Sequence, residues 1–178
     1  LQFAEGIIVT SLWPDDPAPE GTTRVGPLAQ EGDPEEAVEP YDVLLNPGSH
    51  GDHFGVLRER LEAKSYDVRT VGDDDWETKP TMTPYTAAAD VVVCTGFSSI
   101  ADTVVAGTPC VIYPFLPFQK ALAERAEAKH LPGISMATTV DRVIDRVEEY
   151  VGNDVAPDYD NGAPAFVDTV VAGGDDPP

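Results

Sequence analysis

A turn of small and polar residues, Thr95-Gly96-Phe97-Ser98-Ser99, separates two apolar runs, Val91–Cys94 before it and Ile100–Ala106 after it. A third run, Cys110–Tyr113, follows Gly107-Thr108-Pro109. The pattern predicts strand, tight turn, helix, tight turn, strand, which is one βαβ unit. Open α/β sheets bind ligands beyond the carboxyl ends of their strands, and a helix beginning there points unpaired N–H groups outward. Gly96 lets a ligand approach the backbone closely, while Ser98 and Ser99 are placed to cap the helix. The chemistry on offer is the binding of an anion, above all a phosphate.

Other reactive side chains carry weaker signals. His50 and His53 are three apart, a spacing compatible with a metal pair, but a third ligand is not evident and His50 suits donation to a phosphate better. Asp73-Asp74-Asp75 is one acidic loop among many and is expected to be solvated surface. Cys94 and Cys110 both lie in apolar, strand-like runs, which predicts buried free thiols rather than a disulfide or redox pair.

The elements that must position these groups alternate along the chain. Ile7–Thr10 predicts a short strand, and the Pro-, Gly- and Asp-rich stretch 13–40 a linker or loop. Tyr41–Asn46 predicts a strand closing in Pro47-Gly48-Ser49-His50-Gly51, and 54–63 a helix with apolar positions 54, 57 and 61. Strands are expected at Val68–Val71 and Gly133–Met136. Helices are expected at 84–89, Phe118–Lys129 and Asp141–Val151, with a last one from Asn161-Gly162. Short strands alternating with helices from residue 41 onward predict an α/β fold with a doubly wound parallel sheet, Rossmann-like.

The chain has 178 residues, enough for one well-buried domain, and 42% hydrophobic content, ordinary for a globular protein. Its charge is not ordinary: thirty-two acidic residues oppose eleven basic ones, a net charge of −21, spread through every segment. Such dispersal fits adaptation to high salt, because at about 1 M the Debye length falls to roughly 3 Å and self-repulsion is screened. A specialised acidic binding surface is the other reading. Nucleic acid is excluded as a partner, since no basic stripe exists to displace counterions. No signal peptide is visible and no apolar stretch approaches the roughly 20 residues of a membrane span, so a cytoplasmic location is expected.

Residues 81–115, TMTPYTAAADVVVCTGFSSIADTVVAGTPCVIYPF, resemble the donor-binding domain of GT-B glycosyltransferases, especially the MurG-like, family 28 type. The motif residues are Met82, Ala89-Asp90, Gly96, Ser99, Asp102, Ala106-Gly107, Pro109 and Pro114-Phe115. The loop Asn46-Pro47-Gly48-Ser49-His50-Gly51 resembles the family's glycine-rich loop, and residues 9–28 resemble the last acceptor-domain strand with its linker. The resemblance implies a C-terminal half of a GT-B fold. Residues 1–40 would be the acceptor-domain remnant and linker, 41–172 the nucleotide-sugar-binding domain, and 173–178 a frayed tail.

Carried over position by position, the family's ribose-binding carboxylate falls on Asp102. The diphosphate falls at Gly96, Ser98 and Ser99, and the base-binding loop at Thr81-Met82. A sugar contact falls on Gln119, and a phosphate or acceptor contact across the cleft on Gly48, Ser49, His50 and Gly51. The chain departs from the family at Asp102, where glutamate is usual, in a shorter turn before Gly96, and at Phe118 and Leu122, where many relatives carry polar residues.

The implied activity is transfer of a hexosyl or N-acetylhexosaminyl group from a nucleoside-diphosphate sugar, uridine-linked, to an unknown acceptor. The implied scheme uses no metal and no cofactor. Its general base would come from an acceptor domain outside this chain or on a partner chain, so the chain alone is expected to bind donor without turnover. A lipid-linked acceptor would bring peripheral membrane contact. Two further readings are a sugar-nucleotide 2-epimerase of the same fold and a non-catalytic donor-binding subunit of a two-chain transferase.

Overall fold

The computed structural model describes residues 6–13, 16–30, 32, 37–48, 53–74, 76–153 and 155–173. Ser49, His50 and Gly51 of the glycine-rich loop lie outside them, as does the tail from 174 onward.

Five strands form the central sheet: β3 (Tyr41–Asn46), β4 (Val68–Thr70), β5 (Ala89–Cys94), β6 (Cys110–Ile112) and β7 (Ile134–Met136). Their order is β4-β3-β5-β6-β7 and every pairing is parallel, with Val43 opposite Val91 and Val92 opposite Cys110. Runs such as YDVLLN and ADVVVC are nearly continuously apolar because a parallel sheet is buried on both faces. The period of two sorts them. Val43, Leu45, Val91, Val93 and Val111 face one layer; Leu44, Val92, Cys94, Cys110 and Ile112 face the other.

Helices α1 (Gly55–Glu62) and α5 (Val140–Tyr150) cover the first face with Leu57, Leu61, Val143, Ile144 and Val147. Thr139 caps α5 by accepting from the Arg142 N–H at 3.3 Å. Helices α3 (Phe97–Val105) and α4 (Pro117–Ala128) cover the second face with Ile100, Ala101, Val104, Ala123 and Ala126. The sheet is thus doubly wound, as the alternation of short strands and helices predicts. The short helix α2 (Thr83–Ala87) packs on α3, and Thr108 Oγ1 donates to the Thr86 carbonyl at 2.9 Å.

The stretch 13–40 is not all linker. Strand β1 (Ile7–Thr10) pairs in parallel with β2 (Thr22–Val25), a separate two-stranded sheet. Gly21, at φ +73°, turns the chain into β2, and Thr22-Thr23-Arg24-Val25 is rich in β-branched residues. The surrounding prolines mask so short a strand in the sequence. Leu12 and Trp13, just after β1, are buried in the α3–α4 layer. Asp16 ties this part to α4 through Arg125 at 2.5 Å and Lys129 at 3.2 Å.

The last helix, α6 (Ala163–Gly173), starts at a junction with the segment after β2. Asn161 Nδ2 donates to the Ala29 carbonyl at 3.0 Å, its Oδ1 accepts from the Ala29 N–H at 3.2 Å, and the Gly162 N–H donates to the Pro27 carbonyl at 2.8 Å. Helix α6 runs through Gly173.

Candidate anion and nucleotide site

The chain leaves β3 toward β4 on one side and continues through β5 to β7 on the other. The β3–β5 boundary is therefore the topological switch point of the sheet, where a crevice opens beyond the strand ends. Gly48, beyond β3, has φ +59°, a conformation that glycine adopts without strain. Thr95, beyond β5, donates from Oγ1 to the Pro47 carbonyl at 3.4 Å, joining the two loops across the crevice. The structure thus brings Gly48 and the Thr95-Gly96 turn together.

Helix α3 begins one residue beyond this turn. Gly96 is its N-cap, with extended backbone (φ −135°, ψ 171°), and the Ile100 N–H makes the first intrahelical bond to the Gly96 carbonyl at 3.1 Å. The N–H groups of Phe97, Ser98 and Ser99 therefore have no intrahelical acceptor, and no side chain caps them. A Cβ built on Gly96 would meet nothing within 4 Å among the described residues, so the space beside the N-cap is open. This corrects the expectation for Ser98 and Ser99. The helix starts at Phe97 rather than Ile100, so both serines lie inside its first turn and contribute N–H donors instead of capping side chains.

Asp102 follows Ser98 and Ser99 by four and three residues, on the same side of α3. It lies opposite the sheet-facing residues Ile100, Ala101 and Val104, yet it is half-buried. Burial pushes its carboxyl up to about 6, and no neighbouring cation opposes the shift. Among the described residues no hydrogen bond or ion pair engages this carboxylate. A half-buried carboxylate favours any ligand that brings donors to it, and a vicinal diol brings two.

Thr81 and Met82 sit where the chain enters α2, Thr81 buried and Met82 half-buried. A groove of about 890 Å³ beside them is lined by Leu28, Ala29, Gln30, Gly32, Pro80 and Thr81, with Ala163 at its end. Thr83 Oγ1 donates to the Gln30 carbonyl at 2.5 Å, holding one wall to α2.

Gln119 lies in the first turn of α4. It is buried, and its Oε1 accepts from the Phe115 and Leu116 N–H groups, both at 2.9 Å. The oxygen closes the start of α4, whose Pro117 already lacks a donor. His53 stacks on Phe115 with ring centroids 4.6 Å apart. No group of three or more His, Cys, Asp or Glu side chains placed to hold a metal ion occurs among the described residues. Cys94 and Cys110 are buried free thiols with sulfurs 3.4 Å apart, and the Cys94 contact and burial push the Cys110 thiol up.

One feature of the site is absent from the sequence expectations. A cavity of about 460 Å³ lies between the β1–β2 part, the start of α3 and the middle of α4, bounded by Trp13, Asp16, Phe97, Leu122 and Arg125. Only β2, hidden among prolines, could have signalled that this segment folds back over α3.

No family model and no curated protein matches this chain. Solved structures do. A glycotransferase of kitacinnamycin matches 95% of this chain with half of its own length, at a TM-score of 0.60 and 19% identity. The spinosyn forosaminyltransferase SpnP matches 94% of this chain with 56% of its own, at 0.55 and 13%. The glycosyltransferase SnogD from Streptomyces nogalater matches 92% with 54% of its own, at 0.50 and 12%. The chain spans about half the length of these structures. At such identities the likeness concerns the fold alone: a Rossmann-like α/β domain similar to about half of each of these glycosyltransferase structures.

Proposed function

We propose that this chain is the donor-binding domain of a glycosyltransferase, holding a nucleoside-diphosphate sugar at the switch point between β3 and β5. One observation carries the reading: an unpaired, half-buried carboxylate, Asp102, stands one turn along the helix whose free N–H groups open onto the crevice. The N–H groups of Phe97, Ser98 and Ser99 bind the diphosphate, Asp102 accepts the two ribose hydroxyls, and the groove beside Thr81 and Met82 takes the base. The sequence motifs favour uridine. Structural neighbours named as forosaminyl- and rhamnosyltransferases support a hexosyl group as the part transferred.

In this scheme the acceptor oxygen bonds to the anomeric carbon as that carbon's bond to the diphosphate breaks. The bonding pair leaves with the diphosphate, whose growing charge faces the α3 N-terminus and is stabilised there. The acceptor proton passes to a base on the acceptor-binding part of the enzyme. No helix among the described residues is long and apolar enough to cross a membrane. Calorimetric titration in molar KCl with UDP, ADP and GDP tests the reading. Saturable binding that prefers UDP is expected; a folded chain that ignores all three nucleotides would refute it.

A further inference from the structure

In a chain with thirty-two acidic and eleven basic residues, a cation finds a carboxylate easily. Among the described residues, every lysine and arginine except Arg24 and Arg69 forms an ion pair. Arg69 lies instead over the Tyr41 ring, 4.1 Å from its centroid. Arg24 has no such substitute. It stands half-buried on β2, where its Nη1 donates to the Trp13 carbonyl at 2.5 Å. Its Nε and Nη2 make no hydrogen bond among the described residues. The edge of the guanidinium that holds a carboxylate by two parallel bonds is therefore open.

A cavity of about 350 Å³ adjoins Arg24, between β2 and the segment that leads into α6. Pro27, Tyr159 and Ala165 supply its apolar walls. Asn161, Gly162 and Ser11 also line it, and all three are occupied. Asn161 holds both backbone groups of Ala29, the Gly162 N–H donates to the Pro27 carbonyl, and Ser11 Oγ bonds Trp13. The charges are not. Asp158 and Asp160 line the same cavity, both exposed, and neither forms an ion pair with Arg24 or with any other described residue. A lone anion here would face two carboxylates, and a lone cation would leave the arginine edge unmatched. We infer that this cavity binds a zwitterion of about dipeptide size, its carboxylate on Arg24 and its ammonium at Asp158 and Asp160. The weakly hydrated guanidinium takes its partner at the half-buried wall, while the strongly hydrated ammonium stays at the exposed one. The volume lies within the usual range of small-molecule sites. No lining residue is shared with the start of α3 or with the groove beside Thr81, so the site stands apart from the proposed nucleotide site.

Amide-resolved NMR of the chain in molar KCl tests this, because screening at that salt leaves only direct charge contacts effective. Glycylglycine carries both charges. On nearly the same skeleton, N-acetylglycine keeps the carboxylate alone and glycylglycinamide the ammonium alone. Glycylglycine should produce saturable shifts at Arg24, Gly26 and residues 160–162, and the two controls should bind at least about tenfold more weakly. Arg24→Gln should weaken glycylglycine binding at least about tenfold. Asp158→Asn combined with Asp160→Asn, both at exposed positions, should erase the preference, so that N-acetylglycine binds at least as well as glycylglycine. Charge recognition requires that exchange of preference and altered packing does not, so the double variant decides the matter even if Arg24→Gln fails to fold. No shifts with glycylglycine, equal binding of either control to the parent chain, or an unchanged preference in the double variant would each overturn the inference.

Discussion

Asp102→Asn is expected to make the protein more stable and to abolish most of its nucleotide binding. The folded carboxyl is pushed up to about 6 from 3.8 by burial alone. Above pH 6 the native state therefore holds a charge that its surroundings disfavour, and the unfolded chain does not bear that penalty. By linkage the cost is largest above pH 6, shrinks as pH falls because the native carboxyl protonates first, and vanishes below about 3.8. A shift of this size corresponds to about 1–3 kcal/mol, allowing for partial exposure. Asparagine removes the charge, so at pH 7.5 the variant should melt several degrees higher, roughly 2–4 °C per kcal/mol in a chain of this length. Well below pH 3.8 the two proteins should melt together. Nucleotide affinity should move oppositely, falling at least tenfold, because a carboxamide replaces two charged acceptors with one neutral one. Wild-type affinity should likewise decline as pH drops through 6. Melting curves across pH, paired with calorimetry, check both halves. Equal melting temperatures at pH 7.5 would contradict the burial account, and unchanged affinity the binding account.

The second large effect is expected at Gly162, at the junction that places the groove beside Thr81. A Cβ on Gly162 would lie 2.6 Å from the Gly26 carbonyl oxygen and 2.7 Å from its carbon and nitrogen. All of these are backbone atoms, so nothing can rotate aside; the 26–29 segment and the start of α6 must separate. Separation breaks the Gly162–Pro27 hydrogen bond and the paired Asn161–Ala29 bonds. Gly162→Ala should therefore destabilise by about 3 kcal/mol or more, in the range of core-disrupting substitutions. Because Ala29, Leu28 and Ala163 line the groove beside Thr81, base selectivity should weaken more than diphosphate binding. Thermal melts and the UDP-to-ADP affinity ratio give the two readouts. A variant that melts like the parent would show that the two backbones do not approach as closely as described.

The parallel sheet was legible in the sequence because buried strands announce themselves as unbroken apolar runs. Val91–Cys94 and Leu44–Leu45 are such runs, and the alternation with helices followed from them. The turn at Gly96 was equally visible, since the apolar run Val91–Cys94 stops there and a second apolar run starts at Ile100. The start of the helix was misplaced because Ser98 and Ser99 interrupt the apolar pattern, whereas the extended backbone of Gly96 begins the helix at Phe97. The role of Gln119 was not legible, because the carboxamide turns back on its own backbone only once Pro117 fixes the local geometry. The cavity at Trp13 depends on contacts more than a hundred residues apart in sequence, Asp16 with Arg125 and Lys129, which no local pattern records.

The claim at the centre of this account is that the first turn of α3 receives a diphosphate. Amide-resolved NMR of the ¹⁵N-labelled chain in molar KCl, with and without UDP, tests it most directly. Titration should shift the N–H signals of Phe97, Ser98 and Ser99 most, with smaller movements at Asp102 and around Met82, and inorganic pyrophosphate should reproduce the first set alone. Shifts confined to other elements, with the α3 N-terminal amides unmoved, would contradict it.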